Sequence, residues 1–477
     1  MPASDLRNTK VFAVFERFHA LDWSRFDRFM HSPYFNQSKE LIRLYELCHK
    51  LLKGNGQKSF SKADAWKKIK KDQPYDDVRM RKYLSDLLKL VEQYLAQAQF
   101  EGDDIRQSIY LLQAIGDRQI SKLERTGMRT VRKNLEKMAY RTPDYYLSNY
   151  EAEINLYNLV DFETNREEKS NIEAISNNLD YFYLGEKLRI LSNVSSRKKV
   201  IQHDYQLGLI EEIIKTIDLK KYESNPTIAI YYQIYLVNTD PLNEAHYFKL
   251  KELLEQHYHL FPSEEVLNTL YAAAQNYCIF KINRGQQNFL KELFDVYRSI
   301  LDKGFYSQEN TMTPSRFRNM VVTGLRLKEF AWVEEFIQTY QDFLPERFRD
   351  NAVSFNLAQL YFYQKKYEKV ISILQQIEYE DFTYNLNSKV TLLFTYYEMD
   401  EVEPLFSLLD SFSKYLNRHK EIPTNRRLNY QNLIRFTRKL TNVMPGDKPA
   451  IDKLKKEISE TKVASVNWLK EKIAELE

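Results

Sequence analysis

Apolar side chains recur every three or four residues along most of the chain, and short polar stretches separate one run from the next. Leu41, Leu44 and Cys48 form one such run before Gly54, and a longer run begins at Tyr83. This spacing places the apolar residues on one face of a helix. The pattern therefore predicts an all-α protein made of antiparallel helix pairs.

Three segments of the C-terminal half follow one register. In each, a residue of the first helix stands nine positions before an apolar residue of the second: Gly324 and Val333, Tyr361 and Val370, Tyr396 and Leu405. Successive segments start 37 and 35 residues apart. Constant spacing within each pair and variable spacing between pairs indicate a repeated helix packing joined by loops of different length.

The middle segment of the three resembles a tetratricopeptide repeat, through Leu357, Ala358, Tyr361 and Tyr367. A small residue at Ala358 lets two helices approach, and Tyr361 fills the space beside their crossing. The resemblance is clear over about 313–416. It implies a tetratricopeptide-like α-solenoid of helical hairpins. It also implies a non-enzymatic interaction scaffold that binds a peptide or protein partner in the solenoid groove.

Polar breaks in the pattern divide the chain into four segments. We expect an N-terminal helical domain at 1–101, a helical middle segment at 102–225, tetratricopeptide-like repeats at 226–446 and a capping helix at 447–477. The last helix would cover the apolar face that the end of a solenoid leaves exposed. Its alternative role is dimerisation or docking.

The composition narrows the possible functions. Gly and Pro together make up only 24 of the 477 residues, which disfavours β-sandwiches and Gly-rich phosphate loops. Cys48 and Cys278 follow no metal or redox spacing and favour a reducing compartment. The chain lacks a membrane-length apolar run, so we expect a cytoplasmic protein. Catalytic and ligand-binding motifs are also missing, which favours a protein without enzymatic activity, metal or cofactor.

Two local basic stretches stand out against a net charge of only +4. The stretch 50–71 holds eight lysines and one acid, with two aromatic residues among them. In the stretch 118–132, five cations step by four and three residues and are expected to share one helix face: Arg118, Lys122, Arg125, Arg129 and Arg132. The alternatives are a nucleic-acid or regulatory surface and an ordinary solvated face.

Two further sets of residues are candidates for binding. In the repeat geometry, Asn356, Gln359 and Tyr363 are candidate contacts to a partner, and ordinary solvated positions are the alternative. Residues 60–94 also permit a helix-turn-helix interpretation, in which Arg79 opens the second helix. Packing of a helical core explains the apolar positions of that segment equally well.

Overall fold

The computed structural model of the chain describes residues 5–54, 60–71, 73–159, 170–198, 205, 208–209, 212–214, 219–307, 311–375 and 382–477. About 79% is helical, and the described residues form no strand, so the all-α prediction is confirmed. Most helices pack against their neighbours along the chain. The contacts divide the chain into two units, Met1–Lys187 and Leu188–Glu477.

The first unit contains eight helices and the start of a ninth within its described residues. They are α1 (Lys10–Phe15), α2 (Ala20–His31), α3 (Lys39–Lys53), α4 (Lys62–Ile69), α5 (Asp77–Glu101), α6 (Asp104–Asp117), α7 (Ser121–Glu136), α8 (Pro143–Leu159) and α9 (Ile172–Lys198), which crosses the boundary. Side-chain oxygens cap several of these helices at their N-termini by accepting a backbone N–H of the first turn: Thr9, Ser38, Ser61, Asp76 and Asp103.

The core of the first unit is rich in aromatic side chains and is built around α5. Helices α1 to α4 all contact α5. Phe26 and Tyr45 pack edge to face with their ring centroids 5.2 Å apart, a favoured arrangement for aromatic pairs. Trp66 is buried on α4, and its Nε1 donates to the backbone oxygen of Gln73 at 3.0 Å. The indole therefore belongs to the core.

The segment proposed as a helix-turn-helix forms two separate helices. Seven residues, 70–76, lie between α4 and α5, more than the short turn of that motif. The basic start of α5 is also neutralised, since Arg79 pairs with Asp76 at 3.5 Å and Arg81 pairs with Asp77. Packing of the core, the alternative stated above, accounts for this segment.

The second unit continues as a series of helices after α9. They are α10 (Pro226–Thr239), α11 (Glu244–His257), α12 (Tyr271–Asn283), α13 (Phe289–Asp302), α14 (Pro314–Arg326), α15 (Phe330–Tyr340), α16 (Glu346–Tyr363), α17 (Tyr367–Gln375), α18 (Phe382–Glu398), α19 (Val402–Arg418), α20 (Thr424–Leu440), α21 (Lys448–Ser459) and α22 (Val466–Glu475). A helical turn, Ser263–Glu265, and a π-helical segment, Val266–Leu270, lead into α12.

One turn geometry closes three successive hairpins of this unit. Lys328, Lys365 and Asp400 all have a left-handed backbone, with φ of 62°, 60° and 57°. In each turn the next residue donates its N–H to the carbonyl oxygen five positions earlier, at 2.8 to 3.0 Å: Glu329 to Gly324, Lys366 to Tyr361 and Glu401 to Tyr396. This is the Schellman arrangement, which satisfies carbonyl groups left open at a helix end. The turns repeat at the same 37- and 35-residue spacing as the sequence register.

The same turn also joins α6 to α7 in the first unit, where the sequence register is absent. Gln119 has φ of 53°, and Ile120 donates to the carbonyl oxygen of Ile115 at 3.0 Å. Between α12 and α13 the left-handed position is occupied by Gly285. This hairpin closure is therefore shared by both units.

The C-terminal segment differs from the single capping helix expected at 447–477. Two helices form instead, α21 and α22, and Ser465 at the start of the second is left-handed, with φ of 55°. Ile458 and Leu469 are both buried. Residues 459–462 are all polar, so the chain leaves the helix there and returns α22 to the core of the second unit.

Replacing a side chain at a left-handed turn by glycine tests this closure. A non-glycine residue in that conformation costs roughly 1–2 kcal/mol, partly offset by the greater freedom of glycine in the unfolded chain. We expect Lys365→Gly to raise the free energy of unfolding by about 0.5–1 kcal/mol, measured by urea denaturation. The control Lys414→Gly, within α19, should lower it by about 1 kcal/mol. A lower stability of Lys365→Gly would contradict this account of the turn.

Candidate functional site

Helix α7 of the first unit packs closely against α6 through its inner face. Val131 and Leu135 are buried there, in a cluster with Leu112 of α6 and Leu156 of α8. Gly127 is buried as well, and a Cβ at this position would lie 3.1 Å from side-chain carbons of Leu112 and Ile115. The missing side chain thus lets the two helices approach, which fixes the face that α7 presents outward.

The outer face of α7 is basic and exposed. Its cations are Lys122, Arg125, Arg129, Arg132 and Lys133. At 100° per residue Lys122, Arg129 and Lys133 lie opposite Val131, and Arg125 and Arg132 lie on the flank of this side. None of the five forms an ion pair with another residue of the described chain. Two acids, Glu124 and Glu136, line the same surface as these cations.

Two parts of the sequence prediction for this face need correction. Arg118 lies outside α7, because the left-handed Gln119 separates it from the helix; it caps α6 and donates to the carbonyl oxygen of Ala114 at 3.3 Å. The helical spacing of the same stretch also predicts a separate apolar face that includes Ile120 and Leu123, but both side chains are exposed. The inner face begins instead at Gly127, a position that hydrophobic spacing alone does not reveal.

Lys133 belongs to the basic face but was missed by the sequence analysis. It follows Arg129 by four residues, so the helical spacing that identified the other cations also includes it. It replaces Arg118 in the set of five. The face therefore runs from Lys122 to Arg125 and Arg129 in steps of three and four residues. It ends at two adjacent cations, Arg132 and Lys133.

The lysine-rich stretch 50–71 forms no continuous surface in the described residues. It is divided between the end of α3 and α4, and residues 55–59 lie outside the described chain. Lys70 pairs with Glu40 at 2.7 Å, and this hydrogen bond lowers the pKa of Glu40 to about 2. Lys67 lies 3.7 Å from Asp64. Two lysines of this stretch, Lys67 and Lys70, are thus matched by nearby carboxylates.

The three candidate contacts on α16 have different environments. Asn356 is fully buried and donates from Nδ2 to the carbonyl oxygen of Ala352 at 2.7 Å. Gln359 is half-buried and donates from Nε2 to Oγ1 of Thr391 on α18 at 2.6 Å. Tyr363 is 42% exposed. Of the three, only Tyr363 has an exposed side chain that makes no hydrogen bond to another helix.

The last helix, α22, occupies part of the surface next to these residues. Trp468 stacks on Phe394 of α18, with ring centroids 4.2 Å apart. Lys472 is buried and pairs with Glu398 at 2.6 Å. Leu469 of the same helix is fully buried. The C-terminal end of α18 is therefore covered by the chain itself.

Comparisons with known proteins identify no relative. No family model matches the chain, and no curated protein or solved structure gives a match. Across the described residues, no group of His, Cys, Asp and Glu side chains is placed to hold a metal ion. None of the described helices has both the length and the apolar composition needed to span a membrane.

Enlarging the side chain at Gly127 tests whether close packing positions the basic face. We expect Gly127→Leu to lower the free energy of unfolding by about 1–3 kcal/mol, because the added carbons overpack against Leu112 and Ile115. Thermal unfolding of the full chain measures this change. The control Thr126→Leu, on the exposed side of α7, should alter stability by less than about 0.5 kcal/mol. Equal effects of the two substitutions would contradict the packing described here.

Proposed function

We propose that this chain is a non-enzymatic binding protein and that the basic face of α7 binds the phosphate backbone of a nucleic acid. The observation that carries the proposal is the exposure of five cations on one face without a carboxylate partner in the described chain. Exposed cations that lack a carboxylate partner attract a polyanion, and its phosphate groups neutralise their charge.

Several other basic residues of the first unit are paired with carboxylates. Arg81 pairs with Asp77, Lys70 with Glu40, and Arg106 on α6 with Glu151 on α8. Cations of an ordinary solvated surface commonly have such neighbours. On α7, five exposed cations lack such a partner although Glu124 and Glu136 lie on the same helix, and this supports a role in binding over a role in stability.

The chemistry and the size of the face suit a phosphate backbone. From Lys122 to Lys133 the face extends about 17 Å at 1.5 Å per residue, and duplex DNA carries one phosphate charge for about every 1.7 Å of its axis. The arginine guanidinium groups can hold phosphate oxygens with two parallel hydrogen bonds. Several phosphates therefore meet the face at once.

We further propose that the hairpins of the second unit form a tetratricopeptide-like scaffold that binds a peptide or protein partner. The repeated left-handed turns at Lys328, Lys365 and Asp400 support this, because they give three helix pairs the same closure. Tyr363 is the proposed contact, since it is the exposed member of the three candidates.

A cytoplasmic location and the absence of catalysis are part of the same proposal. Cys48 and Cys278 are both free thiols and both buried, and burial raises the pKa of each to about 12. Thiols of this kind are inert and suit a reducing compartment. The two buried thiols therefore support the proposed compartment and say nothing about the partner.

Charge reversal on α7 tests the nucleic-acid proposal. Binding of a fluorescein-labelled 16-base-pair DNA duplex to the full chain, followed by anisotropy, should weaken with salt with a log–log slope of about −4, since each neutralised phosphate contributes about 0.9. We expect Arg125→Glu with Arg129→Glu to reduce the affinity at least 100-fold, because two contacts become repulsive.

The matched control reverses two exposed cations elsewhere in the first unit, Arg17→Glu with Lys82→Glu. It changes the net charge by the same amount and should change the affinity less than about threefold, mainly through long-range attraction. Equal loss in the two double variants would show a bulk-charge effect. Unchanged affinity of the α7 variant would refute the role of this face.

The scaffold proposal is tested at Tyr363. Proteins that the tagged wild-type chain retains from nuclease-treated extract of its own cells are quantified by mass spectrometry. We expect Tyr363→Ser to lower the yield of a specific partner about tenfold or more, as for a tyrosine that anchors an interface. The control Phe248→Ser removes another exposed ring of the second unit. An identical set of partners in all three samples would contradict the proposal.

A further inference from the structure

A tight loop between α2 and α3 displays two aromatic rings on the first unit. Tyr34 is 89% exposed, and its ring packs edge to face with that of Phe35 at 5.0 Å. Pro33 stands before them and does not donate a backbone hydrogen bond. The loop therefore presents an accessible aromatic pair on the surface of the first unit.

The loop holds these rings through a buried side chain. Asn36 is only 7% exposed, and its Nδ2 donates to the carbonyl oxygen of Met30 at 3.0 Å. Its Oδ1 accepts the N–H of Ser38 at 3.0 Å. The N–H groups of Phe35 and Asn36 both donate to the carbonyl oxygen of Ser32. The backbone under the rings is therefore fixed before any ligand arrives, which reduces the entropy lost on binding.

Beside this loop, α2 and α5 enclose a cavity of about 430 Å³. Its apolar wall is Phe29, on which Phe35 stacks at 4.1 Å, together with Tyr94. Arg25 and Arg28 of α2 line the cavity and have no carboxylate partner within the described residues. A cavity of this volume suits a group of small-molecule size, since pockets for such ligands span roughly 300–1,000 Å³.

We propose that this cavity binds one nucleotide of a single-stranded nucleic acid, which identifies the class of polyanion that the first unit prefers. The base stacks on the exposed ring of Tyr34, which stands perpendicular to the cavity-lining ring of Phe35, and the adjoining phosphate receives hydrogen bonds from Arg25 and Arg28. The inference rests on the proposed role of α7, because that face supplies most of the electrostatic attraction. Aromatic rings next to unpaired cations are the recurrent composition of single-strand binding sites.

The alternatives fit the cavity less well. The bases of a duplex are stacked on one another and cannot reach a ring on the protein surface. An acidic peptide would pair with the two arginines but leave the exposed rings uncovered. Glu101, which also lines the cavity and accepts from Gln97 at 3.2 Å, can accept a hydrogen bond from an N–H group of a base.

Tyr34→Ala tests the inference with little risk to the fold, since the ring contacts the protein only through its neighbour in the loop. The full chain is titrated by anisotropy with fluorescein-labelled 16-nucleotide oligothymidylate and, separately, with the 16-base-pair duplex. We expect Tyr34→Ala to weaken single-strand binding about tenfold and to leave duplex binding unchanged. Arg25→Gln with Arg28→Gln should produce the same selective loss.

The control is Tyr110→Ala, which removes a 54% exposed ring from α6 and should leave both affinities unchanged. Equal single-strand affinity of Tyr34→Ala and Tyr110→Ala, with binding still abolished by reversal of α7, overturns this inference and leaves the proposed function intact. Selective loss in Tyr34→Ala with no effect of the α7 reversal supports the cavity and overturns the role of α7. Binding of polyglutamate but of neither nucleic acid overturns both.

Discussion

The architecture of this chain depends on one type of turn. A residue with a left-handed backbone ends the first helix of a pair, and the chain then reverses direction into the second helix. At Lys328, Lys365 and Asp400 this turn closes three hairpins at the repeat spacing, and at Gln119 it turns α6 into α7. The strain of a non-glycine residue in this conformation is offset by the carbonyl group that the turn satisfies. Where the turn is placed decides which side of the next helix faces the core, and thus which side chains reach solvent.

Charge and shape make different contributions on the first unit. The cations of α7 act over about a Debye length, roughly 10 Å at 0.1 M salt, so they bring a polyanion to the surface without distinguishing its bases. The rings of Tyr34 and Phe35 act only in contact, and their loop is fixed by Asn36. A surface that attracts at a distance and a cavity that selects at contact together account for the proposed preference for single strands.

The fold class could be predicted from the sequence because the helical spacing of apolar residues recurs in many segments, and an exception in one helix does not change the overall pattern. One of the nine-residue pairs has a counterpart in the packing, since a Cβ on Gly324 would come within 2.6 Å of Val333. Single polar positions were less predictable. Asn356 lies on the core side of α16 although the repeat geometry suggested a contact to a partner. Arg118 is separated from α7 by a turn centred on Gln119, and glutamine is not a residue type that indicates a left-handed backbone.

The most direct test of the central claim is the reactivity of individual lysines in the native full chain. Acetylation by a water-soluble ester, quantified by mass spectrometry, is compared with and without the 16-nucleotide oligothymidylate. The account predicts that Lys122 and Lys133 of α7 become several-fold less reactive, while the second-unit lysines Lys291 and Lys365 keep their rates. Protection of the second-unit lysines, with Lys122 and Lys133 unchanged, would contradict the assignment of nucleic-acid binding to α7.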